Sequence, residues 1–195
     1  HSGTGGYALL VETVMPLAND PNSPEGRAQL GLDQSTDVVV EPFRVLPGDD
    51  ASCLNLYEPR QPRILGVRRD FIRQGRFSFA GTLDGAEREN PWMLLEREQD
   101  DGAIPVIGDA NSMTYVLHKS IGDEVVVDRG GKPVRLRLVA ALSDSIFQSE
   151  LLMSEANFLR LFPEQEGYGQ LLVDAPAARV AAISDAIERG LTDYG

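Results

Sequence analysis

Residues 124 to 142 read EVVVDRGGKPVRLRLVAAL, and no other stretch limits the fold as much. Two β-rich runs flank a turn signal, RGGKP, and the second run alternates Arg135 and Arg137 with Val134, Leu136 and Leu138. Such alternation describes a strand with one face buried, so the spacing predicts an antiparallel hairpin over 124–142. Antiparallel pairing excludes an all-helical chain and a purely parallel sheet. Other strand patterns are interspersed with helical ones. GYALLVETVMPL, VVVEPFRVLPG, RILGV, IPVIGD and YGQLLVD read as strands, with Pro42 suggesting an edge or a bulge. ELLMSEANFLRLFP reads as a short strand, a Ser154 N-cap and a helix stopped by Pro163. The clearest helix is APAARVAAISDAIERGL, with Pro176 in its first turn, Gly190 near its end, and Val180, Ile183, Ile187 and Leu191 at helical spacing. Residues 18–36 and NPWMLLEREQDD read as turns or short helical pieces. The pattern argues an α+β fold.

The chain has 195 residues with 42% hydrophobic and 25% charged, enough to bury a core. Its net charge of -12 repels phosphate backbones and anionic lipid headgroups, which argues against nucleic acid as a partner. Of 18 basic residues only Lys119 and Lys132 are lysine, so no lysine-rich patch can form. A single cysteine, Cys53, excludes an internal disulfide, and two histidines beside it offer no zinc set. The start, HSGTGGYALL, has no initiating Met, and no run approaches the roughly 18 apolar residues of a membrane span. The chain therefore reads as a soluble piece of something longer.

Chemistry-bearing residues gather in IPVIGDANSMTYVLHKSIGDEVVV, residues 104–127, which holds Asp109, Asn111, Ser112 and His118. Six positions separate Ser112 from His118, which puts them on different helix faces, and no sharp glycine-flanked elbow surrounds the serine. The structural reading is that Asp109 or Asn111 caps a helix over NSMTYVLHKS, Met113, Val116 and Leu117 pack inward, and Gly122 ends the connection. Asp49–Asp50 and Asp100–Asp101 lack the oxygen-rich loop a calcium site needs. Cys53 has no neighbouring His or Lys to activate it and reads as a small buried hydrophobe. Phe147 and Gln148 read as core or turn packing. No catalytic, metal or cofactor site is expected. Six arginines, Arg60, Arg63, Arg68, Arg69, Arg73 and Arg76, stand out in an acidic chain; most such charges are solvated or pair with nearby acids, and the functional reading is a face for docking an acidic partner.

From residue 64 on, the order of elements resembles a known family. RILGVRRDFIRQGRF, IPVIGDANSMTYVLHKSIGDEVVV, GGKPVRLRLVAAL, LLMSEANFLRLF and LLVDAPAARVAAISDAIE are together similar to the MacB-like periplasmic core domain of FtsX-like ABC transporter permeases. The likeness spans roughly residues 64–192, and GTGGYALLVETVMPL suits the exit from a first membrane helix. Residues 18–36 depart from it, since the family has a clear helix there. The resemblance implies an extracytoplasmic domain on the periplasmic side of the bacterial inner membrane, between the first two membrane helices of a permease. It implies two lobes: a membrane-proximal lobe formed by both chain ends, 1–60 and 166–195, and an inserted lobe, 61–165. It further implies no catalysis and no cofactor. The domain would relay ATP-driven movement to an extracytoplasmic substrate or partner. The partners implied are the ATP-binding subunit, reached through the parent permease, and a periplasmic adaptor or lipoprotein. A stand-alone secreted or periplasmic ligand-binding module is the alternative, and a hydrolase would need a nucleophile–base pair the sequence does not offer.

Overall fold

The computed structural model describes residues 3–33, 35–49, 61–85 and 88–194. It is a mixed α+β structure whose nine strands form one mixed sheet, in the order β1-β9-β2-β3-β8-β5-β7-β4 with β6 added on β7. Contacts divide the chain into two compact units, Gly6–Arg44 with Glu164–Gly195, and His1–Gly5 with Val45–Pro163.

In the first unit, β1 (Leu9–Leu17) and β2 (Val39–Leu46) flank β9 (Tyr168–Asp174), both antiparallel to it. β1 is an edge strand whose register shifts between Glu12 and Leu17, leaving Val14 almost wholly exposed. Together the shift and Pro16 blunt that edge against further pairing. Pro42 pairs opposite Leu171 in β2, an interior strand of the order, so neither the edge nor a bulge accounts for it. The turn-rich stretch forms a short helix, α1 (Pro24–Gln29), capped by the Ser23 hydroxyl accepting from Gly26 N–H. Helix α5 (Val180–Tyr194) follows a 3-10 turn, Ala177–Arg179, for which Pro176 is the N-cap. Most of its apolar stripe packs as the spacing predicts: Ile183 and Ile187 are buried with Leu30, Val40, Leu171 and Val173, and Leu191 packs beside them, while Val180 at the start of the helix is only half-buried and outside this cluster.

The second unit centres on β7 (Lys132–Leu142), eleven residues long. Its first half pairs with β6 (Glu124–Arg129) in the expected hairpin, closed by Gly130 and Gly131, both at positive φ. Its second half lies between β5 (Ile104–Asp109, parallel) and β4 (Phe79–Thr82, antiparallel), and there every residue from Leu138 is buried. β8 (Glu150–Ser154) pairs antiparallel with β5 and parallel with β3 (Arg63–Val67). Ile64, Val106, Leu138, Leu151 and Phe158 share one core. Phe158 lies on α4 (Glu155–Leu161), which the Ser154 hydroxyl caps by accepting from Asn157 N–H. The short helix α2 (Arg69–Gln74) buries Phe71 and Ile72. Phe71 meets Trp92 edge to face, with ring centroids 4.9 Å apart. Trp92 sits in the 3-10 segment Pro91–Glu96.

Candidate functional site

The polar residues of 104–127 do come together, around a loop. Asp109 ends β5 fully buried, and its carboxylate accepts from Asn111 N–H at 3.0 Å and from Ser145 N–H at 2.6 Å. The first bond caps a single helical turn, α3 (Ala110–Ser112). Ser112 Oγ donates to Gln148 Oε1 at 3.1 Å and accepts from Ser149 N–H at 2.7 Å. Asn111 Nδ2 donates to Asp144 Oδ1 at 3.1 Å. His118 stands exposed at the end of the segment, in the left-handed region at φ 55. The hydroxyl proton of Ser112 is thus committed to Gln148, and the cluster pins the loop 143–149. Phe147 is fully buried and Gln148 exposed.

The helix expected over NSMTYVLHKS is corrected in one respect. After Ser112 it widens into a π-turn, Met113–Leu117, closed by His118 N–H donating to the Met113 carbonyl, with Lys119 N–H donating to the same carbonyl at 2.8 Å. Met113 stays buried and Leu117 packs against the core. The wider turn rotates Tyr115 and Val116 outward, so Val116 is 56% exposed instead of packed inward.

The arginines are spread over several elements. Arg63 opens β3 and pairs with Glu150 at 3.4 Å, its register partner on β8. Arg68 precedes α2, half-buried. Arg69 and Arg73 are exposed on α2, and Arg69 pairs with Glu96 at 3.4 Å. Arg76 is half-buried, its carbonyl accepting from Trp92 Nε1 at 2.6 Å. Arg60, Cys53 and Asp50 lie outside the described residues. Of the described set, Arg69 lines an open cleft of about 960 Å³ between α2, the stretch Leu95–Pro105 and α4. Leu95, Ile72 and Leu159 give it apolar surface, while Glu96, Arg69 and Arg160 give it charge of both signs.

Beside the cleft stands a cluster the sequence reading missed. Arg137 grips Asp101 with both terminal nitrogens, at 2.8 and 2.7 Å, and also donates to Glu124 at 2.6 Å. Arg135 reaches the same two acids, its Nε at 3.0 Å from Glu124 and one terminal nitrogen at 3.0 Å from Asp101. Hydrogen bonds from Arg137, then from Ala103 N–H, hold the Asp101 carboxyl well below the usual carboxylate range. Glu124 is lowered chiefly by its bond from Arg135, and both guanidiniums are raised in turn. Hairpin register places Glu124 opposite Arg137, so half of this cluster was countable from the sequence. Asp101 comes from 23 residues upstream of Glu124 and was not. Among the described residues no group of three or more His, Cys, Asp or Glu gathers as a metal site would. Among them, too, no helix is long and apolar enough to cross a membrane.

Against known proteins, no family model matches the chain and no curated protein does. Solved structures do. The chain is similar to extracytoplasmic regions of ABC transporters. One is the extracellular domain of the noncanonic ABC-type transporter YknZ from Gram-positive bacteria, at 14% identity and a TM-score of 0.44, covering 95% of this chain and 92% of that one. Another is the periplasmic region of MacB from Actinobacillus actinomycetemcomitans, at 11% identity and a TM-score of 0.44, covering 95% of this chain and 80% of that one.

Proposed function

We propose that this chain is the extracytoplasmic domain of an ABC transporter permease, set on the periplasmic side of the bacterial inner membrane. It relays the ATP-driven motion of membrane helices to a substrate or partner outside. The observation that carries the reading is the agreement between sequence segments and elements. Segments that resemble the MacB-like core domain form the strands expected of them, β3, β5, β6, β7, β8 and β9, and the two helices expected after β8 and β9, α4 and α5, while the helix expected after β5 is a single turn and a π-turn. The membrane-proximal lobe of this reading is 1–60 with 166–195, and the inserted lobe 61–165. Contacts that group Gly6–Arg44 with Glu164–Gly195 support such a division. A partner ATPase engages the parent permease, and the domain itself holds no catalytic residue and no cofactor. An adaptor or lipoprotein docks on the arginine-bearing face that includes Arg63, Arg68, Arg69, Arg73 and Arg76, with the cleft beside Arg69 as its seat.

The test is the parent reading frame, about 60 residues beyond each end. Apolar spans of about 20 residues on both sides are expected. A cleavable signal before the chain and a stop near Gly195 would overturn the permease reading. The second reading is a stand-alone ligand-binding module, for which the open cleft beside Arg69 would be the site. A thermal-shift screen of small metabolites separates the two. A single ligand that raises the melt and is lost on Leu159→Asp would favour the module.

A further inference from the structure

Gly3 to Gly5 belong with the Val45–Pro163 unit, and the chain passes to the other unit at Gly6. Ile146 N–H donates to the Gly3 carbonyl at 2.9 Å. A methyl group on Gly3 would lie 1.8 Å from the Asp144 carbonyl oxygen, so backbone meets backbone with no room for a side chain. Gly5 has φ 62, and a methyl there would lie 2.6 to 2.8 Å from three carbons of the Phe77 ring. The corner that receives this segment is strained. Phe77 at φ 74, Asp144 at φ 47 and Ser149 at φ 59 all occupy the left-handed region without being glycine. Such conformations persist only where the surroundings over-determine them. Here the surroundings are the bonds of Asp109 to Ser145, Ser112 to Ser149 and Asn111 to Asp144, with Ser143 N–H donating to the Ser78 carbonyl. Phe77 is further wedged against Phe147, with centroids 5.2 Å apart. The cluster that resembles a catalytic site is therefore the foundation of a socket for three residues of backbone.

We propose that Gly3–Gly5 is a strap that ties the segment leading into β1 to the Phe77–Asp144–Ile146 corner and delivers load on that segment into the Val45–Pro163 unit. The source of the load rests on the permease reading. Among the described residues the Ile146–Gly3 bond and the packing of Asp144 and Phe77 against Gly3 and Gly5 hold the strap, whereas a ladder on β9 holds β1, so under tension the strap yields first.

Hydrogen exchange at the Ile146 amide reads the strap directly. Gly3→Ala and Gly5→Ala should each speed that exchange about tenfold, the scale of one lost backbone bond, with the melting temperature held. Thr4→Ala, at an exposed position, should leave it unchanged. If Gly3→Ala does not fold, deletion of residues 1–5 exposes the same amide. Unchanged Ile146 exchange in both glycine variants would overturn the strap. Faster exchange alongside unaltered transport by the intact parent protein would overturn its load-bearing role. A parent lacking membrane spans would remove the permease reading while the exchange result stood on its own.

Discussion

Asp109 and Asp101 show how differently two carboxylates act in one unit. Asp109 is buried and takes two backbone N–H groups, so Asp109→Ala strands both donors. We expect a loss of about 2–4 kcal/mol in denaturant melts. Asp101 is half exposed, and its pairing with Arg135 and Arg137 is screened by water. Its depressed pKa nonetheless sets a sign. The folded state favours the charged form, so the stabilisation is present above about pH 4 and drains away as pH falls below it. Asp101→Asn should therefore melt below the parent chain at pH 7, with the gap closing under acid. A gap that stays constant down to about pH 2 would assign the loss to packing instead. Gly190 adds a third lesson. It reads from sequence as a helix-end signal, yet it lies within α5, where a methyl would sit 2.2 Å from the Gln29 carbonyl oxygen. It is there to let α1 approach.

Among the elements, α5 and β7 were the most legible. An apolar stripe at Ile183 and Ile187 leaves one orientation for α5, and both residues end up 1% exposed. Ile183→Asp places a charge among Leu30, Val40 and Leu171, so we expect loss of the cooperative melt of the Gly6–Arg44 and Glu164–Gly195 unit, read by limited proteolysis. A protease-resistant variant would show that α5 is docked less firmly than its burial indicates. For β7, the alternation of Val134 to Leu138 was readable as a half-buried strand, whereas the continuous burial from Leu138 to Leu142 was not, because covering both faces of a strand depends on what packs above and below the sheet. The π-turn was not readable. Met113, Val116 and Leu117 fit an ordinary helical stripe, and only the pull of Ser149 and Gln148 on Ser112 marks where the helix widens.

At the scale of the whole chain, the cleft is where surface chemistry and the relay reading meet. Arg69 and Leu159 line it from α2 and α4, both exposed, so changing them should spare the fold. We expect Arg69→Glu with Leu159→Ser to melt within about 0.5 kcal/mol of the parent chain and, on the proposed relay reading, to impair transport by the intact parent protein. Full transport by a folded double variant would count against the cleft as the proposed docking seat.

The sequence by itself determined the mixed α+β class, the hairpin at 124–142, the cap at Ser154 and the stripe of α5, and it narrowed a second cap to Asp109 or Asn111. Each of these depends on periodicity or on groups within a few residues of one another. Tertiary structure alone decided which side chains meet across the chain: Asp101 with Arg137, Ser112 with Ser149, and Gly3 with Ile146. Those meetings depend on strand order in a nine-stranded sheet, and local pattern carries no information about which distant strand becomes a neighbour.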